Sequence, residues 1–149
     1  MELRHALIAA AVLALAACGG GPVKRVSEPA AGIQQLTVRA DGRWDVVVRL
    51  DNFSSVPMRF ASAKLDIAFD NGPAATVQAQ PGISIGPESA DVFTATLAPL
   101  PAGRARLANA LADGQGLSYN LVGTVDAGPE DGNSRSYKIE RKSALSPVP

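Results

Sequence analysis

Cysteine and histidine supply nucleophiles, general bases and metal ligands near neutral pH. This chain of 149 residues holds one of each, Cys18 and His5. The remaining candidates are carboxylates. Asp45, Asp51, Asp66 and Asp70 fall at alternating positions or at turns. Two of them brought together would form a general acid and base pair; kept apart, they are the solvated outer face of strands. Asp126, Glu130 and Asp131 lie among glycines between Asp126 and Asn133. Acids and glycines so mixed hold calcium when the ligands recur at the spacing of a calcium loop. That spacing is missing, and the stretch reads as a polar hairpin loop. The sequence has no Gly-rich phosphate loop and no basic stripe.

The setting of Cys18 is more informative than the residue itself. Arg4 and His5 precede an uncharged run, Ala6 to Ala17, made of Ala, Leu, Val and Ile. Small residues close the run, and Gly19-Gly20-Gly21 follows the cysteine. A basic start, an apolar middle and small residues at a cut site make a secretory signal peptide. The run is about twelve residues long, short of the roughly 18–20 needed to span a bilayer. Leu15-Ala16-Ala17-Cys18 resembles the lipobox of bacterial lipoproteins. The resemblance implies that residues 1–17 are removed and that the Cys18 thiol carries a diacylglycerol. A retained membrane anchor and a cleaved signal with an incidental cysteine are the alternatives. Each buried methylene contributes about 0.8 kcal/mol, and stable anchoring takes at least two lipid signals. Gly19 stands where an aspartate commonly signals inner-membrane retention in Gram-negative lipoproteins. The resemblance therefore implies an outer-membrane protein facing the periplasm, with membrane lipid as its first partner.

Loss of residues 1–17 and acylation of Cys18 leave a chain with no imidazole and no free thiol. Ser-His-Asp and Cys-His catalysis and the usual zinc sites are then excluded, as is an intramolecular disulfide. Lys and Arg number 14 and Asp and Glu number 14. Removal of Glu2 and Arg4 keeps that balance. Such a chain has no global field to draw it to nucleic acid, and an aromatic fraction of 5% leaves few rings to stack on bases. The expectation is a non-enzymatic protein without cofactor or metal, and with a protein partner.

Residues 18–32 read as a lipidated N-terminus and flexible tether, marked by Gly19-Gly20-Gly21-Pro22 and Glu28-Pro29-Ala30-Ala31-Gly32. Such a leash reaches about 20 Å r.m.s.. From residue 33 to 143 the hydrophobic period is two. In Arg43 to Asp51, Trp44, Val46, Val48 and Leu50 share one face and Asp45, Val47, Arg49 and Asp51 the other. Met58 to Phe69 is a long strand whose parity slips, which predicts a β-bulge near Phe60–Ala61. Asp70-Asn71-Gly72-Pro73 is a turn. Short strands follow at Ala74–Gln78 and Ala90–Leu97, with Ile83-Ser84-Ile85 between them. Leu107, Ala108 and Leu111 recur at helical spacing, predicting one helix over Ala102–Ala112. Leu117 to Val125 and Ser134 to Lys142 are the last strands, and 144–149 is a disordered tail. These elements predict an all-β fold, an immunoglobulin or fibronectin-like antiparallel sandwich of about seven strands with one short helix. A lipocalin-like barrel is the rival.

The order of these elements resembles the LEA type 2 proteins, also called the WHy (water stress and hypersensitive response) domain. The resemblance rests on the strand Trp44–Leu50 ending in Asp51-Asn52-Phe53, the hairpin at Asp70-Asn71-Gly72, and the Gly82–Pro87 segment. It rests also on the leucine-bearing stretch Leu107–Leu111, on Leu117-Ser118-Tyr119-Asn120-Leu121-Val122-Gly123, and on the closing strand. It implies a seven-stranded sandwich, no catalytic residues, and a role in desiccation or other envelope stress through binding or shielding other proteins. An accessory subunit of an envelope complex and a carrier of a small apolar ligand are the alternative readings.

Overall fold

The computed structural model describes residues 23–148. The lipobox residues Leu15, Ala16, Ala17 and Cys18, and the signal segment, lie outside the described residues. Eight strands and one helix follow in order: β1 (Ala30–Val38), β2 (Trp44–Asn52), β3 (Met58–Phe69), β4 (Gly72–Ala79), β5 (Ile83–Ile85), β6 (Ser89–Leu97), α1 (Pro101–Ala112), β7 (Leu117–Pro129) and β8 (Arg135–Leu145). One sheet has the order β1-β2-β6, and the other β4-β3-β7-β8, with β5 also paired to β3. Every pairing is antiparallel. The fold is the all-β sandwich that the alternation predicts, with one short helix. The three-residue β5 is the element beyond the expected seven strands.

The core lies between the sheets because alternate residues of each strand point inward. Trp44, Val46, Val48 and Leu50 are fully buried. Trp44 packs its ring 6.0 Å from that of Phe69 on the facing sheet. The register of β3 against β7 shifts between Phe60 and Ser62. Met58 and Phe60 thereby join Ala63, Leu65, Ile67 and Phe69 in the core, while Ala61 faces solvent. The expected bulge is present, displaced by no more than one residue.

Gly123 explains itself by proximity. A Cβ there would collide with the Lys64 carbonyl oxygen and come within 2.9 Å of the Leu65 Cα. The bulged β3 passes too close for any side chain, so the glycine that closes the Leu-x-Tyr-x-Leu-x-Gly run is a steric requirement.

Helix α1 begins with Pro101 at its first turn, where the missing N–H is not needed. Gly103 lets it lie on β4, since a Cβ there would stand 2.5 Å from the Ala74 Cα. The Leu100 N–H donates to the Ala74 carbonyl at 2.8 Å. Arg106 grips Asp70 with two bonds of 2.8 and 3.0 Å. Leu107 and Ala110 are buried beneath the helix.

Two boundaries move relative to the sequence reading. The first strand starts at Ala30, not at residue 33, and the last continues to Leu145. The segment 23–29, read as part of a tether, is bonded to the sandwich. The Ser55 N–H donates to the Arg25 carbonyl at 2.9 Å, and the Arg25 N–H donates to Ser55 Oγ at 2.7 Å. Periodicity is blind to such docking, because a segment held by its backbone needs no hydrophobic pattern.

Candidate functional site

The two ends of the sandwich differ in chemistry. At one end, the turn after β2 is a buried polar hub. Asn52 is 2% exposed. Its Nδ2 donates toward the carbonyls of Val56, Ile85 and Gly86 at 2.9–3.0 Å, and its Oδ1 accepts from the Ser54 N–H at 2.9 Å. Ser54 Oγ accepts the Ser27 N–H at 2.8 Å and donates to the Ser27 carbonyl at 3.3 Å. The Arg25 guanidinium donates to the Phe53 carbonyl and to Glu88 Oε1. One asparagine and one serine thus tie three chain segments together: the N-terminal one, the turn after β2, and the loop after β5. Buried polar atoms must find such partners, so this end reads as a structural clamp.

The opposite end holds an apolar groove of about 730 Å³. Leu36 and Val38 of β1, Leu107 and Leu111 of α1, and Leu117 and Leu145 at the sheet ends line it. Gln34, Gln35, Thr37 and Gln115 form its polar rim, and Ser146 to Val148 one flank. Val38 is 43% exposed and Leu111 48%. The β1 register shifts between Ile33 and Gln35, residues that line the groove. At that bulge the Ile33 N–H leaves the ladder and donates to the buried Tyr119 hydroxyl of the facing sheet at 3.0 Å. Ala30 pairs beside Asp51 and Val38 beside Trp44. At roughly 3.3 Å per residue, β1 therefore runs about 26 Å from the docked N-terminal segment to the far end of the groove.

The carboxylates do not assemble. Asp45 accepts from Thr96 Oγ1 at 2.6 Å and from Arg39. The Thr96 hydroxyl, then Arg39, holds its carboxyl below the ordinary 3.8. Asp51 accepts from Arg49 at 3.0 Å, and Asp66 from Thr76 at 2.8 Å. Asp70 is held below 3.8 chiefly by its bonds to Arg106. Each acid has its own partner, and no two form an acid and base pair. In the 126–133 loop, Asp126 accepts from Ser62 at 2.8 Å and Asp131 pairs with Lys24 at 3.3 Å. Those acids turn to different neighbours and do not converge on one point.

Neither the groove nor the Asn52 hub was singled out from the sequence. The groove is assembled from four elements far apart in the chain. Asn52 carried a signal, its place at the end of the clearest alternating strand.

The fold is shared with two solved proteins. A protein of Arabidopsis thaliana solved in solution is 12% identical, with a TM-score of 0.51 over 85% of this chain and 82% of that one. The ApaA protein of Bordetella pertussis is 16% identical, with a TM-score of 0.50 over 84% of this chain and 97% of that one. A solved structure described as a late embryogenesis abundant (LEA) protein is 10% identical, with a TM-score of 0.45 over 97% of this chain and 86% of that one. No protein-family model and no curated protein matches the chain. At these identities the likeness is one of fold.

Proposed function

We propose that the protein is a lipid-anchored, non-enzymatic binding module of the bacterial cell envelope, a LEA type 2-like sandwich that binds or shields other proteins. The observation that carries this reading is the open apolar groove, set at the end away from the N-terminal segment. Its floor of leucine and valine with a glutamine and threonine rim suits an extended apolar stretch of a polypeptide. Apolar contact supplies the binding, and the rim amides pair with main-chain groups. The empty catalytic inventory of the mature sequence supports a binding role.

The docked N-terminal segment sharpens the anchoring. Four residues, 19–22, separate Cys18 from Val23. That length of chain spans at most about 18 Å. A sandwich acylated at Cys18 is then held close to the headgroups at its clamp end, and the groove points away from the membrane. The outer membrane, periplasmic face, is the proposed address. Cys18→Ser tests the anchor: the variant should fold and lose its acyl chains and its partition with the outer membrane. Retention of both would contradict the reading. A deletion strain should survive drying, cold and osmotic shock less well than its parent, and equal survival would remove the stress role.

A further inference from the structure

A sandwich of two open sheets has edges, and an edge strand offers unpaired backbone groups to any passing strand. Three edges of this molecule are protected. Strand β1 is bulged, and its outward Ile33 N–H is taken by Tyr119. Strand β4 begins with Gly72-Pro73 and gives its Ala74 carbonyl to the approach of α1. Strand β8 carries Arg135, Lys138, Arg141 and Lys142. The Arg141 guanidinium lies inward over Gly32, with its Nε 3.0 Å from where a Cβ of Gly32 would stand. Bulges, proline, covering helices and inward charges are the devices that blunt edges.

Strand β6 is the least protected, with one charge, Asp91, on the face it shares with Phe93 and Ala95. It pairs with β2 in unbroken register from Ser89 to Leu97. It contains no proline, lysine or arginine, and Val92, Phe93, Thr94 and Thr96 are strong strand formers. Its free side can be assigned. Ile33 turns its N–H away from β2, so its ladder partner Val48 bonds the other way, toward β6. Phe93, opposite Val48, therefore bonds β2, and Ala90, Val92, Thr94 and Thr96 aim their backbone groups off the sheet. The Val92 N–H confirms this, since it donates to the neighbouring Asp91 Oδ1 at 2.8 Å.

We propose that β6 pairs antiparallel with β6 of a second copy across a two-fold axis, joining two three-stranded sheets into one of six. The strand is complementary to itself. Centred on Phe93, the pairing sets Thr94 opposite Val92, Ala95 opposite Asp91, and Phe93 opposite its own copy. The half-buried Phe93 then meets its own copy, Ala95 faces Asp91, and the one charge of the strand never faces its like. An isologous contact of this kind closes as a dimer and does not propagate. One strand against one strand buries less than the roughly 1,200 Å² of a stable complex, and pairing displaces Asp91 from the Val92 amide. The dimer is thus weak and favoured by crowding.

Sedimentation equilibrium of the full chain in detergent, combined with amide hydrogen exchange, tests this. The wild type should show a monomer–dimer equilibrium, and the Thr94 and Thr96 amides should exchange more slowly as concentration rises. Thr94→Pro removes an outward N–H that β2 does not use, and Thr94→Lys places a charge beside the seam without touching the backbone. Each should weaken dimerisation at least tenfold, while Lys138→Glu on β8 should leave it unchanged. A wild type that stays monomeric to millimolar concentration would overturn the proposal. So would a dimer indifferent to Thr94→Lys, or Thr94 protection that appears only with a segment of another protein.

Discussion

Asn52 should be the most sensitive polar residue in the molecule. Its amide serves three carbonyls and accepts one N–H, with almost no access to water. Two amide hydrogens shared among three carbonyls make one of those bonds bifurcated. Asn52→Ala deletes all four contacts and strands the carbonyls of Val56, Ile85 and Gly86. Each net bond is worth about 1 kcal/mol, and partial access of water to the vacated space returns some of it. The expected loss is about 2–4 kcal/mol, a large share of the roughly 5–15 kcal/mol that holds such a domain. Asn52→Asp is nearly isosteric and distinguishes polarity from shape. A carboxylate there faces three carbonyl oxygens, and an uncompensated buried charge costs about 3–5 kcal/mol. That environment raises the folded pKa of the new aspartate above its unfolded value of about 3.9. The deficit is therefore full at pH 7, shrinks as pH falls through the folded pKa, and is smallest below the unfolded one. Trp44, the sole tryptophan and wholly buried, reports urea unfolding by its fluorescence. Midpoints should fall with an unchanged slope. A loss under about 1 kcal/mol for Asn52→Ala, or an Asn52→Asp deficit indifferent to pH, would refute the hub.

Two tyrosines should behave oppositely. Tyr119→Phe strands the Ile33 amide and should cost about 1–2 kcal/mol in urea unfolding, whereas the buried Tyr137 hydroxyl has no partner among the described residues, so Tyr137→Phe should be neutral or stabilising. Gly123→Ala should destabilise by about 1–3 kcal/mol or more, because the bulged β3 backbone must retreat; a melting temperature equal to wild type would show that the close approach is not required. Asp70 is held below 3.8 by Arg106, so its contribution is present at neutral pH and lost as pH falls through the depressed value. The wild-type advantage in melting temperature over Asp70→Asn should accordingly narrow below pH 3.8, and a gap that stays constant to pH 2 would contradict that assignment.

Where side chains alternate strictly, the sequence spoke clearly. Trp44 to Leu50 declared a strand and its buried face, and the parity slip at Phe60 declared a bulge, because burying one face of a sheet demands period two. The carboxylates on outward positions were equally legible as a solvated face. What could not be read was made of backbone and of distance. The docking of 23–29 runs through main-chain groups, two serine hydroxyls and the charged ends of Lys24 and Arg25, which leave no hydrophobic imprint. Gly32 looked like linker composition, yet it sits within β1 and makes room for the Arg141 side chain. The groove exists only once Leu36, Leu107, Leu117 and Leu145 meet, and each of them looks like ordinary core in its own element. Gly123 announced a constraint without its cause, which lies on a strand almost sixty residues earlier.

The proposed role stands on the groove, and photocrosslinking in the intact envelope addresses it most directly. A photoreactive residue replaces Leu111 at the groove, or Lys64 on the outer face of β3 as control. The account predicts protein adducts from position 111, loss of those adducts when Leu36→Lys is added, and none from position 64. A single abundant adduct would favour an accessory subunit, and a diffuse set a shield. Equal labelling from both positions, or none from 111, would contradict a binding function for the groove.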